Sequence, residues 1–93
     1  MSVETYESVF DVLTNTPQES ANMTARADLL LALREEIKTW DVPQEQVAAR
    51  VGLTRPRLND LMHGKLDKFS LDALVNVASA AGFVITIRLS ETA

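Results

Sequence analysis

The sequence contains no cysteine and a single histidine, His63. Disulfide frameworks, thiolate zinc sites, cysteine nucleophiles and thiol redox pairs are therefore excluded. Glycine and proline number three each, and aromatic residues make up 5%. That is too little for an architecture built from many tight turns. No glycine-rich phosphate loop is present. The longest unbroken apolar run is five residues, Leu29 to Leu33. A membrane-spanning helix needs about 20, and no secretory apolar segment is evident. A cytoplasmic chain is expected.

What is present is ordinary for a globular domain. The chain has 93 residues, 46% of them apolar and 24% charged, which argues against a disordered tail. Its formal net charge is −4, which by itself speaks against a polyanionic partner. The charge is unevenly spread. Residues 1–43 hold eight acids and three bases, residues 44–68 hold three acids and five bases, and residues 69–93 hold two acids and one base. An acidic N-terminal part thus joins a mildly basic middle, a partner signal whose bland counterpart is two differently solvated faces.

Residues 1–15 show no helical stripe, and we read them as an N-terminal arm in which Val9 to Leu13 could form a short strand or strap. Thr16-Pro17-Gln18-Glu19 then opens a helix. Thr16 and Glu19 have capping-box spacing, and Pro17 sits where a missing N–H costs nothing. The helix should run to Thr39 or Trp40, with Leu29, Leu30, Leu33, Ile37 and Trp40 on its inner side. Asn22 and Thr24 are poor helix formers, so a kink there is an option.

Pro43 and Gln44 start a second helix with Val47, Ala48 and Val51 inward, ended by Gly52. Thr54 caps a third, with Pro56 in its first turn, Leu58, Leu61 and Met62 inward, and Gly64 as its stop. Ser70 caps a fourth helix to Ala81, with Phe69 and Leu74 spaced as a hydrophobic staple. After Gly82, Phe83 to Leu89 is β-branched and alternating, which predicts a C-terminal strand over 83–89 with Phe83, Ile85, Ile87 and Leu89 on one side.

Residues 43–65 have helix-turn-helix spacing, with small Ala48 where two helices would cross closely. Gln44, Ala48, Gly52, Leu53, Thr54, Leu58, Leu61 and Gly64-Lys65 resemble the Cro/phage-repressor (Xre) helix-turn-helix family. The stretch from Arg57 to Val75 is similar, more particularly, to HigA-type antitoxins. Pro43, Arg55 and Pro56 depart from the family pattern, so no base preference carries over.

The resemblance implies a mainly α fold: a compact helical bundle over 16–93 with a Cro/phage-repressor-type helix-turn-helix and one C-terminal β-strand. It implies a DNA-binding transcriptional repressor. It further implies the antitoxin of a type II pair, which neutralises a small, basic, RelE/HigB-like ribonuclease toxin by direct contact and represses its own operon. A stand-alone Xre repressor is the alternative, and a helical interaction module that never touches DNA is a third reading.

In such a motif the recognition helix enters the major groove N-terminus first. Arg55 and Arg57 are candidate guanine readers and Asn59 a candidate adenine reader. Gln44, Thr54, His63, Lys65 and Lys68 are candidate phosphate contacts. His63 also reads as a residue favoured by the helix dipole, and Arg55 and Arg57 as solvated surface charges. Two half-sites call for a homodimer, and Phe83, Ile85, Ile87 and Leu89 are the expected seam. No enzyme activity, cofactor or metal is expected, because His63 has no nucleophile at a suggestive spacing and Glu35-Glu36 has no further ligand nearby.

Overall fold

A computed structural model describes residues 16–91. The proposed arm, including Val9 to Leu13, lies outside the described residues. The described residues form four helices, α1 (Pro17–Lys38), α2 (Gln44–Val51), α3 (Arg55–Met62) and α4 (Leu71–Ala80), and a 3₁₀ turn at Leu66–Lys68.

Helix α1 starts as the local chemistry requires. The Thr16 hydroxyl accepts from the Glu19 amide at 3.0 Å, and the Glu19 carboxylate accepts from the Thr16 amide at 3.3 Å. Two donors that the first turn leaves orphaned are thereby satisfied. The helix passes through Asn22 and Thr24 unbroken. Asn22 Oδ1 accepts from Arg26 Nε at 2.8 Å. A side chain engaged in that way does not compete for the helix backbone. Only from Arg26 onward does α1 meet the core, and Leu30, Leu33 and Ile37 are its buried stripe.

The three later helices are short, so their ends matter more than their length. Thr54 accepts from the Arg57 amide and Ser70 from the Ala73 amide. Helix α2 ends on Gly52 at φ +74°. Beyond it, Leu53 N–H donates to the Ala48 carbonyl at 2.9 Å and Gly52 N–H to Ala49 at 3.3 Å. This is the paired closure that needs a left-handed residue. The same pair of bonds recurs after α3, from Lys65 to Asp60 and Gly64 to Leu61, and after α4, from Phe83 to Ala78 and Gly82 to Ser79.

Helix α1 packs against α4, and α2 against both α3 and α4. Among the described residues the buried set is apolar and includes Leu58, Leu61, Phe69 and Leu74, each at most 1% exposed. Phe69 just before the Ser70 cap and Leu74 four residues after it fill the staple positions, and both lie in that core. Trp40 is half-buried, 6.3 Å from the Phe83 ring and with the Arg50 guanidinium 4.0 Å above it.

The C-terminal strand expected over 83–89 is not seen. Among the described residues nothing pairs with this segment, and a strand requires a partner ladder. The alternation is nevertheless expressed at its start. Phe83 and Ile85 are half-buried against the core, whereas Val84 and Thr86 are exposed.

Candidate nucleic-acid interface

Helices α2 and α3 are joined by Gly52, Leu53 and Thr54 alone. The left-handed Gly52 reverses the chain and Leu53 tucks against the core, so the turn is fixed from inside. Val47, Ala48 and Val51 of α2 and Leu58 and Leu61 of α3 face inward together. Buried Ala48 allows the close approach. The outer face of α3 then follows from helix geometry. Arg55, Asn59 and His63 succeed one another every four residues, about 40° apart around the axis, and all three are exposed.

Each of these side chains has a defined state. Arg55, at the first turn of α3, makes no side-chain hydrogen bond or ion pair with the described residues. Asn59 contributes its main-chain carbonyl to the His63 ring, whose Nδ1 lies 2.8 Å away. A carbonyl only accepts, so Nδ1 carries the proton and Nε2 is left for an external partner. Thr54 Oγ1 is committed as an acceptor to the Arg57 amide, and its proton stays available. Gln44 is the first residue of α2, after the N-cap Pro43, which supplies no side-chain cap. The opening amides of α2 are thus unoccupied by the protein's own side chains.

Arg57 does not join Arg55. Two positions apart, they point about 200° from each other around the helix. The Arg57 guanidinium lies 4.6 Å over the ring of buried Phe69. It is held toward the connection after α3, on the flank of the face that Arg55, Asn59 and His63 share. Lys65 is 3.5 Å from the half-buried Asp60 carboxylate, so its charge is partly engaged. Lys68, at the end of the 3₁₀ turn, is exposed and forms no ion pair among the described residues. The expected seam residues divide as well. Phe83 and Ile85 pack on their own core, and Ile87 and Leu89 are exposed.

Two arginines overlooked in the sequence help to build this surface. Arg26 Nη1 donates to the carbonyls of Leu66 and Phe69, at 3.5 and 3.4 Å, tying the connection after α3 to α1. Arg34 lies against the end of α3, with Nη1 3.2 Å from where a Cβ on Gly64 would stand. Its Nε is buried with no acceptor. A guanidinium at a helix C-terminus suits the negative end of the helix dipole. The signal was available: Arg26 and Arg34 fall in the inward stripe with Leu30, Leu33 and Ile37, where a charge needs a reason.

Among the described residues no group of His, Asp and Glu could hold a metal ion, and no helix is long and apolar enough to cross a membrane. The exposed face of α3 is a surface of mixed polar and cationic groups.

Comparison with a family model agrees with this geometry. A family model described as a helix-turn-helix domain matches residues 12–90. A stretch of 42 residues is 50% identical to part of the peptide chain release factor 1 of Oceanobacillus iheyensis, covering 44% of this chain. The match spans 12% of that relative's length.

Proposed function

The chain belongs to the helix-turn-helix domain family, and from that premise we propose that it is a sequence-specific transcriptional repressor acting as a homodimer, and the antitoxin of a type II toxin–antitoxin pair. The observation that carries the DNA reading is the exposed face of α3, with Arg55, Asn59 and His63 in line behind a Thr54 cap. With α3 in the major groove, the Arg55 fork spans O6 and N7 of a guanine, and Asn59 pairs with an adenine edge. Gln44 and the open amides of α2 grip a phosphate of one strand. Thr54, Lys65 and Lys68 meet phosphates that set register without reading sequence, and His63 joins them in the doubly protonated form, in which Nε2 also donates. Arg57, stacked on Phe69, serves as a flanking phosphate contact.

Binding should weaken steeply as salt rises, because cations on this face displace condensed counterions. Fluorescence anisotropy on DNA from upstream of the chain's own gene tests the assignment. Arg55→Ala should lose about 1–3 kcal/mol of specific binding and relax preference at one base. Arg55→Ala and Asn59→Ala proteins that both bind like the wild type would sink it.

The antitoxin part rests on the resemblance of residues 57–75 and on the acidic 1–43 segment, which suits a basic protein partner. A pull-down of this chain from its native host checks that part. Recovery of a stoichiometric small basic ribonuclease supports it. Recovery of a homodimer and DNA only makes this a stand-alone repressor. On either outcome the working compartment proposed is the cytoplasm, on the nucleoid, with no catalysis and no cofactor.

A further inference from the structure

His63 is the one histidine of the chain, and cysteine is absent. Histidine is the side chain whose charge ordinarily changes between pH 5 and 8. A side-chain titration in that window therefore points to one residue, and it stands at the end of the helix assigned to DNA.

The geometry fixes what each charge state of the ring can do. Nδ1 lies 2.8 Å from the Asn59 carbonyl, which only accepts, so the first proton sits on Nδ1. The neutral ring then presents a lone pair at Nε2. A phosphate oxygen presents lone pairs as well, so the two repel. A second proton turns Nε2 into a donor and adds a positive charge. The same ring, held by the same bond, thus rejects a phosphate when neutral and grips it when charged.

The surroundings provide no counter-ion. On α3 the nearest acid in sequence is Asp60, and its carboxylate is 3.5 Å from Lys65 Nζ. The connection after α3 adds Asp67 and Lys68, and α1 adds Arg34, whose Nη1 is 3.2 Å from where a Cβ on Gly64 would stand. Helix α2 meets α3 through the apolar Val47, Ala48 and Val51. Among the described residues no carboxylate lies within ion-pair distance of the His63 ring. His63 is exposed, and what favours its charge from within is the C-terminal end of the α3 dipole. The anion that completes the site has to come from outside, and a DNA phosphate is one.

We propose that DNA binding takes up a proton at His63, so that the chain holds DNA more tightly as the pH falls through the histidine range. This rests on the repressor reading and adds an acid-responsive control to it. The sign follows from linkage. The phosphate favours the charged ring in the complex, so binding and protonation reinforce each other. Affinity is greatest where the ring is charged before binding as well as after. It falls as the pH rises, and levels off where the ring is neutral in both states. Between pH 7.5 and 5.5 the gain should be about five- to tenfold, between the upper worth of an exposed ion pair and the lower worth of a hydrogen bond to a charged group. One more phosphate is neutralised at low pH, so the salt dependence should steepen by about 0.9 in log–log slope. A phosphate contact carries no sequence information, so the gain should be the same on any duplex.

Fluorescence anisotropy at pH 5.5, 6.5 and 7.5 tests this on the full chain. The probes are a duplex from upstream of its own gene and a scrambled duplex of the same length. His63 is exposed, so neither His63→Gln nor His63→Lys threatens the fold. The wild type should show the gain on both duplexes. His63→Gln should bind equally at the three pH values, and His63→Lys should stay throughout near the wild-type affinity of pH 5.5. Calorimetry in two buffers of different ionisation heat should show proton uptake by the wild type and none by His63→Gln. A wild type that binds equally at pH 5.5 and 7.5 overturns the proposal and leaves the repressor reading standing, as does a His63→Gln protein that keeps the pH dependence. A gain confined to the upstream duplex would make His63 a base reader and overturns the phosphate contact. A chain that binds neither duplex at any pH refutes the repressor reading, and this proposal with it.

Discussion

Gly52 and Gly64 offer a matched experiment on what this surface is built from. Both sit past the end of a short helix, at φ +74° and +72°. An alanine at either must hold a Cβ in the left-handed region, at about 1–2 kcal/mol. The smaller conformational freedom of alanine in the unfolded chain returns about 0.4–1 kcal/mol. The surroundings then separate the two sites. A Cβ on Gly52 meets nothing nearer than the Ala80 methyl at 4.0 Å, whereas on Gly64 it meets Arg34 Nη1 at 3.2 Å. Gly52→Ala should therefore cost about 1 kcal/mol net, or about 4–8 °C in Tm for a domain of this size.

Gly64→Ala should cost about 1 kcal/mol more, the low end of the overpacking range, because a half-buried guanidinium has to give way. Urea unfolding of four proteins decides: wild type, Gly64→Ala, Arg34→Ala and the double variant. In the Arg34→Ala background the cost of Gly64→Ala should fall to that of Gly52→Ala. The coupling energy of the cycle should then be about 1 kcal/mol, within the range for touching groups. An identical cost in both backgrounds would show that the Arg34 contact contributes nothing. A neutral Gly52→Ala would refute the left-handed strain argument itself.

Two further predictions concern neighbouring groups. Phe69→Ala should destabilise by about 3–5 kcal/mol, since the ring is fully buried, while Phe69→Leu should lose far less, about 1.5 kcal/mol; equal urea midpoints for the two would contradict the packing role. Asp60→Asn should leave stability within about 1 kcal/mol. It should strengthen DNA binding and steepen the salt dependence by up to about 0.9 in log–log slope as Lys65 is freed; weaker binding would instead make Asp60 a base-reading group.

The helix boundaries of this protein were legible in its sequence because their causes are local. Thr16, Thr54 and Ser70 each accept from an amide three residues on, and Gly52, Gly64 and Gly82 each close a helix within six residues. The face of α3 was legible in part for the same reason: a four-residue repeat fixes that Arg55, Asn59 and His63 align.

The remaining features depend on partners far apart in the chain. Helix periodicity already turns Arg57 away from that face, but its seat over the Phe69 ring is a contact that no periodicity in α3 encodes. Arg26 reaches carbonyls 40 and 43 residues away. Arg34 comes to rest on Gly64 only once α1 and α3 have packed. The C-terminal segment marks the limit of local reasoning in the other direction. Its alternation from Phe83 to Leu89 encodes a strand-like preference, but strand hydrogen bonds are made between chains of residues and not along one. A composition suited to pairing becomes a strand only where a partner edge exists, and among the described residues there is none.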